Sequence, residues 1–278
     1  MEVAVDSQDS DFPWHEAEKD LMAGIDSSVP HSARIWNYWL GGKDNYAIDR
    51  STGDRYCEIF PGIVGIARAA RIFHTRAVRY LAGERSIHQF LDIGTGLPTA
   101  NNTHEVAQQT TPHSRVVYVD NDPLVLAHAN ALLTSTPPGV TDYIEADIRE
   151  PDAILRAAAD TLDFTRPIAL MLMGIMGHIT DDAHAYSIVG HLLAGLPPGS
   201  FLVLRDATNT DTTFGGAQEL YNQSGAAPYK LRSPQQIARF FDTLQLIEPG
   251  LVTPLEWKPD PGEEPVRVEM ACGVGQKK

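Results

Sequence analysis

The stretch Gln89-Phe90-Leu91-Asp92-Ile93-Gly94-Thr95-Gly96-Leu97-Pro98-Thr99 constrains this chain more than any other. It reads as a strand, a glycine turn and a helix. Phe90, Leu91 and Ile93 make the apolar run of a strand covered on both faces. Gly94 and Gly96 permit backbone angles that side chains forbid, and they let a ligand approach the main chain. Pro98 suits the first turn of a helix, where its missing N–H costs nothing. Such a strand, turn and helix holds a nucleotide-like ligand at the carboxyl edge of a parallel sheet.

The rest of the chain follows the rhythm set by that turn. Apolar patterning predicts strands over 87–93, 115–120, 141–146, 168–173 and 200–205. Helices are expected over 99–109, 123–133 (opened by Asp122 and Pro123), 151–161 and 181–196, then around 216–224 and 234–243. Alternation of this kind implies a parallel sheet with right-handed crossovers. Two last strands, 245–252 and 266–274, have a proline-rich loop between them. They are expected to pair as an antiparallel hairpin at one edge. The fold class is therefore α/β, a doubly wound, seven-stranded, mostly parallel sheet of Rossmann-like type.

Ahead of the first strand lie three helix candidates, 32–40, 49–60 and 63–81. The first carries Ile35, Trp36, Tyr38, Trp39 and Leu40, and Gly41-Gly42 ends it. Three regions follow from this reading. Residues 1–28, rich in Asp, Glu and Ser, read as a mobile acidic tail. Residues 29–84 form a helical cap or lid, and residues 85–278 form the ligand-binding domain.

Composition narrows the partners. The 278 residues carry 22 Lys+Arg against 36 Asp+Glu, a formal net charge of −14. An acidic surface repels phosphate backbones, so no nucleic acid partner is expected. The best basic strip, Arg68, Arg71, Arg76 and Arg79, reads as a solvated helix face. No apolar run approaches the roughly 20 residues needed to span a bilayer, and the N-terminus lacks a signal-peptide layout. A cytoplasmic protein with no membrane partner is expected. Cys57 and Cys272 lie far apart and read as reduced thiols.

Consecutive strand ends carry acids. Asp92 stands at the first, Asp120-Asn121-Asp122 at the second and Asp147-Ile148 at the third. These ends line one crevice in such a sheet. An acid at the end of the second strand, about 20 residues past the glycines, can accept both hydroxyls of a ribose. An acid at the third can accept an exocyclic adenine amine. Asp92 suits a positively charged amino group and would repel a pyrophosphate. The dinucleotide fingerprint also needs a third glycine where this chain has Thr99. The set fits S-adenosylmethionine better than a nicotinamide cofactor.

With these residues in view, the chain resembles an actinobacterial family of S-adenosylmethionine-dependent methyltransferases whose substrate is unassigned. The resemblance runs from about Ser28 to the C-terminus. Its matching segments are Ala33-Arg34 with Leu40-Gly41-Gly42-Lys43-Asp44-Asn45, the glycine stretch 90–99, Val117-Tyr118-Val119-Asp120-Asn121-Asp122-Pro123, Glu145-Ala146-Asp147 and Glu248-Pro249-Gly250-Leu251-Val252. It implies a class I methyltransferase sheet with a helical N-terminal cap. It also implies cofactor contacts at Asp92, Gly94, Gly96, Asp120 and Asp147, to which the strand-end pattern adds Thr95, Asn121, Ile148 and Gly174. One departure stands out: where the family pattern has a histidine after the fifth strand, this chain has Arg205-Asp206-Ala207-Thr208.

The expected reaction is methyl transfer to a small-molecule acceptor. His178, just past the fourth strand, stands where a general base could reach an incoming nucleophile. Tyr38, Lys43, Asn45 and Tyr46 are expected to close over the ligand as a lid hinged at Gly41-Gly42. No metal is expected; His178, Asp181 and His184 read better as a strand end and a helix start. Two rival readings stay open at this level: a binding module for the same cofactor without turnover, and a nicotinamide-dependent oxidoreductase. The acceptor and the oligomeric state are not set by the sequence.

Overall fold

The computed structural model describes residues 26–125, 135 and 137–278. The expected acidic tail therefore lies, for residues 1–25, outside the described residues. So does most of the helix expected over 123–133.

Seven strands form one sheet: β1 Gln89–Ile93, β2 Arg115–Asp120, β3 Val140–Glu145, β4 Ala169–Met173, β5 Phe201–Ala207, β6 Leu244–Leu246 and β7 Met270–Lys277. Their order across the sheet is β3-β2-β1-β4-β5-β7-β6. The first five are parallel to their neighbours, and β7 runs antiparallel between β5 and β6. The chain order reverses direction between β1 and β4, the place where an open α/β sheet leaves a crevice at its carboxyl edge.

Strand alternation sorts the core into two layers. Leu91, Ile93, Val117, Val119, Leu170, Leu172, Leu202 and Leu204 face one way. There they meet helices α5 (Pro151–Ala158) and α6 (Asp182–Gly195) through Ile154, Ala158, Ile188 and Leu192. Phe90, Val116, Tyr118, Met171, Phe201 and Val203 face the other way. They meet α3 (Ile63–Gly83) and α4 (Thr103–Thr110) through Phe73, Ala77, Leu81 and Val106. Both faces are covered, which is why the central strands are continuous apolar runs. The even-numbered positions at the strand tips, Asp92 and Asp120, share the α3 side with Phe90 and Tyr118. Arg205 shares it with Val203.

Helices α1 (Ser32–Trp39) and α2 (Ala47–Ile59) complete the N-terminal part. They share a core with α3, with α7 (Thr212–Asn222) and with the sheet, formed by Ile35, Trp39, Tyr56, Ile66, Ala207, Phe214 and Met270. The Gly41-Gly42 pair ends α1 as expected, but it is a tight cap and not a loose hinge. Gly42 N–H donates to Asn37 C=O at 2.8 Å and Gly41 N–H to Tyr38 C=O at 2.9 Å, with Gly41 at φ +82°. That is the paired bond pattern of a Schellman turn.

Several boundaries differ from the sequence reading. Helix α4 begins at Thr103 and not at 99. Asn101 takes φ +61° and breaks the run, and Glu105 accepts the Asn102 N–H at 2.7 Å in a capping box. Pro98 thus lies in a loop. Helix α7 starts earlier than 216, because Asp211 accepts the Phe214 N–H at 2.8 Å. The segment expected as helix over 234–243 is a short helix α8 (Pro234–Ala238) followed by a 3₁₀ turn. Strand β6 keeps only two residues of the expected 245–252, Gln245 and Leu246, and Val252 makes a single bridge to Cys272. The basic strip is a solvated face only in part: Arg68 and Arg79 are exposed, but Arg76 is buried, reaching the Leu255 carbonyl at 3.3 Å, and Arg71 lines the cavity described below.

One buried carboxylate ties α1 to α2. Asp49, 0% exposed, accepts the His31 N–H at 2.9 Å and the Tyr46 N–H at 2.8 Å. The Arg34 Nε lies 3.0 Å from it, close enough for an ion pair but without hydrogen-bond angles. Removing one member of a buried pair strands the other charge, at a cost of about 3–5 kcal/mol. Asp49→Ala should therefore lower unfolding free energy by about that amount in chemical denaturation. A loss under about 1 kcal/mol would show that the pair does not hold the cap.

Candidate functional site

The carboxyl ends of β1, β2, β3, β4 and β5 open into a cavity of about 420 Å³ under α1 and α3. That lies within the range of small-ligand sites. Asp92, Gly94, Thr95, Gly96, Asp120, Asn121, Asp147, Ile148, Gly174 and His178 all line it. The ten residues come from four separate strand ends, and the parallel register brings them together.

The glycine turn is fastened to β2. Gly94 N–H donates to Val119 C=O at 2.8 Å, and Gly96 N–H donates to Asp120 Oδ2 at 2.9 Å. Asp120 Oδ1 accepts the Asp122 N–H at 3.0 Å. Gly94 has φ +73° and Gly96 has φ +66°. A methyl group at Gly94 would come within 2.7 Å of Ile175, whereas one at Gly96 would meet nothing nearer than 4.0 Å and would fill the space above the turn. Glycine at 94 is demanded by packing; at 96 it leaves room for a ligand.

Asp92 is 3% exposed. Its Oδ2 accepts the Thr103 hydroxyl at 2.6 Å, and Thr103 in turn meets His74 Nε2 at 2.7 Å. Burial pushes the Asp92 carboxyl up to about 6, against the pull of the Thr103 hydrogen bond and of the Arg71 guanidinium. Burial also raises Asp120, although two backbone N–H donors act against it. His74 is driven well below the usual histidine range by burial and then by Arg71, so it is neutral.

Asp147 sits at the cavity rim, about a third exposed, and is already engaged. Arg149 donates to it at 2.9 Å through its guanidinium and at 2.8 Å through its backbone N–H, and the Asn121 amide lies at 3.3 Å. A ligand amine at Asp147 would have to share or displace these donors.

His178 closes the β4 end. Its Nδ1 lies 3.0 Å from the Pro228 carbonyl, which can only accept. Nδ1 therefore carries the proton, and in the neutral ring Nε2 keeps a lone pair. The ring packs edge-on against Tyr229 at 5.0 Å. Burial lowers its pKa below the ordinary histidine value. A neutral imidazole with a free Nε2 can accept a proton.

The four residues expected to form a lid are placed outside the cavity lining. Tyr38, Lys43, Asn45 and Tyr46 do not line the cavity. The Tyr38 hydroxyl donates to Asp54 at 2.6 Å on the outer face, and Lys43 is exposed. The Asn45 amide serves the α1 turn, donating to Asn37 at 2.9 Å. Tyr46 lies under Arg34, whose Cζ is 5.1 Å from its ring, and packs beside Leu97. The opposite face of α1, with Trp36, Asn37, Trp39 and Leu40, covers the cavity instead.

Other cavity residues escaped the sequence reading. Arg71 donates to the Ala100 and Asn101 carbonyls at 2.9 and 2.8 Å and so props the loop after the glycine turn. Its spacing from Ala67, Ala70 and His74 on one helix face was the available signal. Arg205, a charge in the otherwise apolar run Phe201-Leu202-Val203-Leu204, was visible as an anomaly in a central strand.

The donor set suits an S-adenosylmethionine-like molecule. A buried carboxylate with one hydroxyl partner favours an ammonium, a second at the β2 tip has lone pairs left for hydroxyl donors, and the space above Gly96 admits the chain between them. Among the described residues no group of three His, Cys, Asp or Glu could hold a metal, and no helix is long and apolar enough to cross a membrane.

Comparison with known proteins agrees with that fit. A family model described as S-adenosyl methyltransferase matches residues 18–278. A DUF574 family protein from Streptomyces avermitilis MA-4680 is 42% identical, with a TM-score of 0.86 over 91% of this chain and 99% of its own. A methyltransferase candidate from Thermobifida fusca YX is 38% identical, with a TM-score of 0.85 over 92% of this chain and 97% of its own. No curated protein matches the chain.

The Asp92 environment has a measurable consequence for the unliganded protein. Its folded pKa of about 6 exceeds the unfolded value near 3.9, so folding binds a proton between these values. Stability on this account is full below about pH 4, falls as pH rises to about 6, and stays lower above it. Asp92→Asn removes the penalty while keeping an acceptor for Thr103. Its stability advantage should be nil near pH 4 and about 2–3 kcal/mol at pH 8, read by denaturant unfolding. A variant less stable than wild type at pH 8 would contradict the assignment.

Proposed function

The chain belongs to the S-adenosyl methyltransferase family, and from that premise we propose that it methylates a small molecule seated between the β4 and β5 ends and the aromatic face of α1. The observation that carries the reading is the row of acids at consecutive strand ends, Asp92, Asp120 and Asp147, around one cavity with the glycine turn in its midst.

When bound, S-adenosylmethionine supplies a methyl group on a positively charged sulfur, electrophilic toward an oxygen, nitrogen, sulfur or carbon nucleophile. The protein's part is positioning, desolvation and proton handling. Asp92 is the counter-charge for the ammonium of the methionyl head. Asp120 receives the ribose hydroxyls on the lone pairs that Gly96 and Asp122 leave free. Gly94, Thr95 and Gly96 give the main chain a close approach to the ligand, with Asn121 beside the ribose. Asp147 and Ile148 flank the adenine, and Gly174 lies toward the transferred group.

Trp36, Trp39 and Phe214 form an apolar wall that excludes water around the reacting atoms. A dispersed positive charge gains from such a dry pocket. Holding two reactants in line can supply about 7–11 kcal/mol of the barrier. His178 accepts the proton of a protic nucleophile at Nε2, while Pro228 holds Nδ1–H and fixes the ring. The acidic surface, with its net charge of −14, favours a small acceptor over a nucleic acid.

The test is to incubate the protein with methyl-labelled S-adenosylmethionine and a host metabolite extract. Label should pass to the low-molecular-mass fraction. His178→Ala should slow that transfer by about 10²–10⁴-fold, with S-adenosylhomocysteine affinity within twofold of wild type. Label in nucleic acid, or no transfer at all from a protein that binds the cofactor firmly, would overturn the proposal.

A further inference from the structure

The cavity holds a cation that makes no ion pair among the described residues. Arg205 ends β5, is 8% exposed and lines the cavity. Its Nε has no hydrogen-bond partner, and among the described residues its guanidinium makes no ion pair. A methyl group placed on Gly174 would lie 2.6 Å from its Nη1, so the guanidinium rests on the bare backbone at the end of β4. Its Cζ lies 5.0 Å from the Trp36 ring, whose helix covers the cavity. A cation–π contact of this kind is worth about 0.5–2 kcal/mol, less than several kcal/mol for taking a guanidinium out of water unpaired.

Neighbouring charges do not remove the deficit. Asp206 is the next residue; it acts on Arg205 through space, but strand alternation sends its carboxylate to the opposite face, out of contact with the guanidinium. There it accepts the Tyr229 hydroxyl and lies 3.8 Å from Arg232 Nη1. On the Arg205 side stand Arg71 and neutral His74, which add no negative charge. Asp92 shares that side but already has Arg71 and the Thr103 hydroxyl near it. Arg205 therefore lacks an anion, in a pocket whose remaining wall near α1 is apolar: Ile35, Trp39, Phe214 and Met270.

We propose that the methyl acceptor is a carboxylic acid with an apolar body, and that Arg205 is the residue that receives its carboxylate. The apolar body lies against Trp36 and its neighbours, and the guanidinium offers paired N–H groups that match a carboxylate. This deepens the proposed function and rests on it. The cofactor's own carboxylate is the other anion with this chemistry. An α-ammonium and an α-carboxylate hang on one carbon, so a head group seated on Asp92 keeps its carboxylate near β1. The Arg205 backbone stands two strands away, and its guanidinium, resting on Gly174 at the end of β4, stands one strand away, about 5 Å along the sheet; the experiment below therefore tells the two carboxylates apart.

The experiment measures binding by titration calorimetry in the presence and absence of saturating S-adenosylhomocysteine. The probes are matched pairs, benzoate against benzamide and phenylacetate against phenylacetamide. Wild type with S-adenosylhomocysteine bound should take each acid about tenfold or more tighter than its amide. Arg205→Met should erase that preference, Arg205→Lys should keep part of it, and both should bind S-adenosylhomocysteine within twofold of wild type. The wild-type comparison stands even if a variant fails to fold. Equal binding of acid and amide by wild type, or no acid bound at millimolar concentration, overturns the proposal. So does a tenfold loss of S-adenosylhomocysteine affinity in folded Arg205→Met, which would assign Arg205 to the cofactor's carboxylate. Failure of wild type to bind S-adenosylhomocysteine would instead sink the proposed function beneath it.

Discussion

The burial of Asp92 is the constraint around which the site is arranged. A carboxylate sealed at a strand tip is costly to ionise, and this one has a single hydroxyl partner. The strand that carries it is covered on both faces, so the side chain meets only the cavity and not the outer surface. Nothing in the fold alone requires an acid there; an apolar residue would continue Phe90 into the same core layer. The penalty makes sense when a ligand cation completes the pair. Arg205 repeats the arrangement with the opposite sign in the same cavity. Two buried, under-partnered charges of opposite sign thus face one ligand space. Natural proteins retain such stability costs where function needs them.

Holding those charges apart and in place falls to two features. Asp120 fastens the glycine turn to β2 through Gly96 N–H, so the β1 and β2 tips form one rigid edge. Asp49 gathers the His31 and Tyr46 N–H groups and the Arg34 guanidinium, which fixes α1 over the sheet. The Schellman turn at Gly41-Gly42 then stiffens the end of α1. The cap shares its core with α7 and with Ala207 and Met270 of the sheet. These contacts describe a roof over the cavity with an aromatic underside.

Much of this was legible in the sequence, for a physical reason. The glycine turn and the acids at successive strand ends act locally, through backbone angles and strand termination, and parallel pairing then brings them together. The seven strands and the antiparallel pair at one edge follow from alternation and loop length. What escaped depends on rotation and on long-range packing. Five aromatic and aliphatic residues, Ile35, Trp36, Tyr38, Trp39 and Leu40, announce two crowded faces of α1 without saying which one looks inward, so Tyr38 was taken for the inward face in place of Trp36 and Trp39. Arg71 hid in a strip of arginines because Arg68 and Arg79 beside it are exposed, and sequence alone does not separate them from it. The partner of His178 is a carbonyl 50 residues away, which no local pattern signals. The start of α4 was missed because Asn101 takes a left-handed angle, an option that asparagine has but does not declare.

The most direct test of the central claim, that Asp92 is held for a ligand ammonium, is the pH dependence of S-adenosylhomocysteine binding. A ligand that requires the ionised carboxylate must displace a proton wherever the free protein holds one. With Asp92 at about 6, the dissociation constant should be level from pH 8 to about 7 and rise about fivefold between pH 6 and 5, about tenfold in all. In Asp92→Asn the binding should be weaker at pH 8 and flat with pH over the same range. A wild-type constant that does not change between pH 8 and 5, or a variant that follows the wild-type curve, would contradict the account.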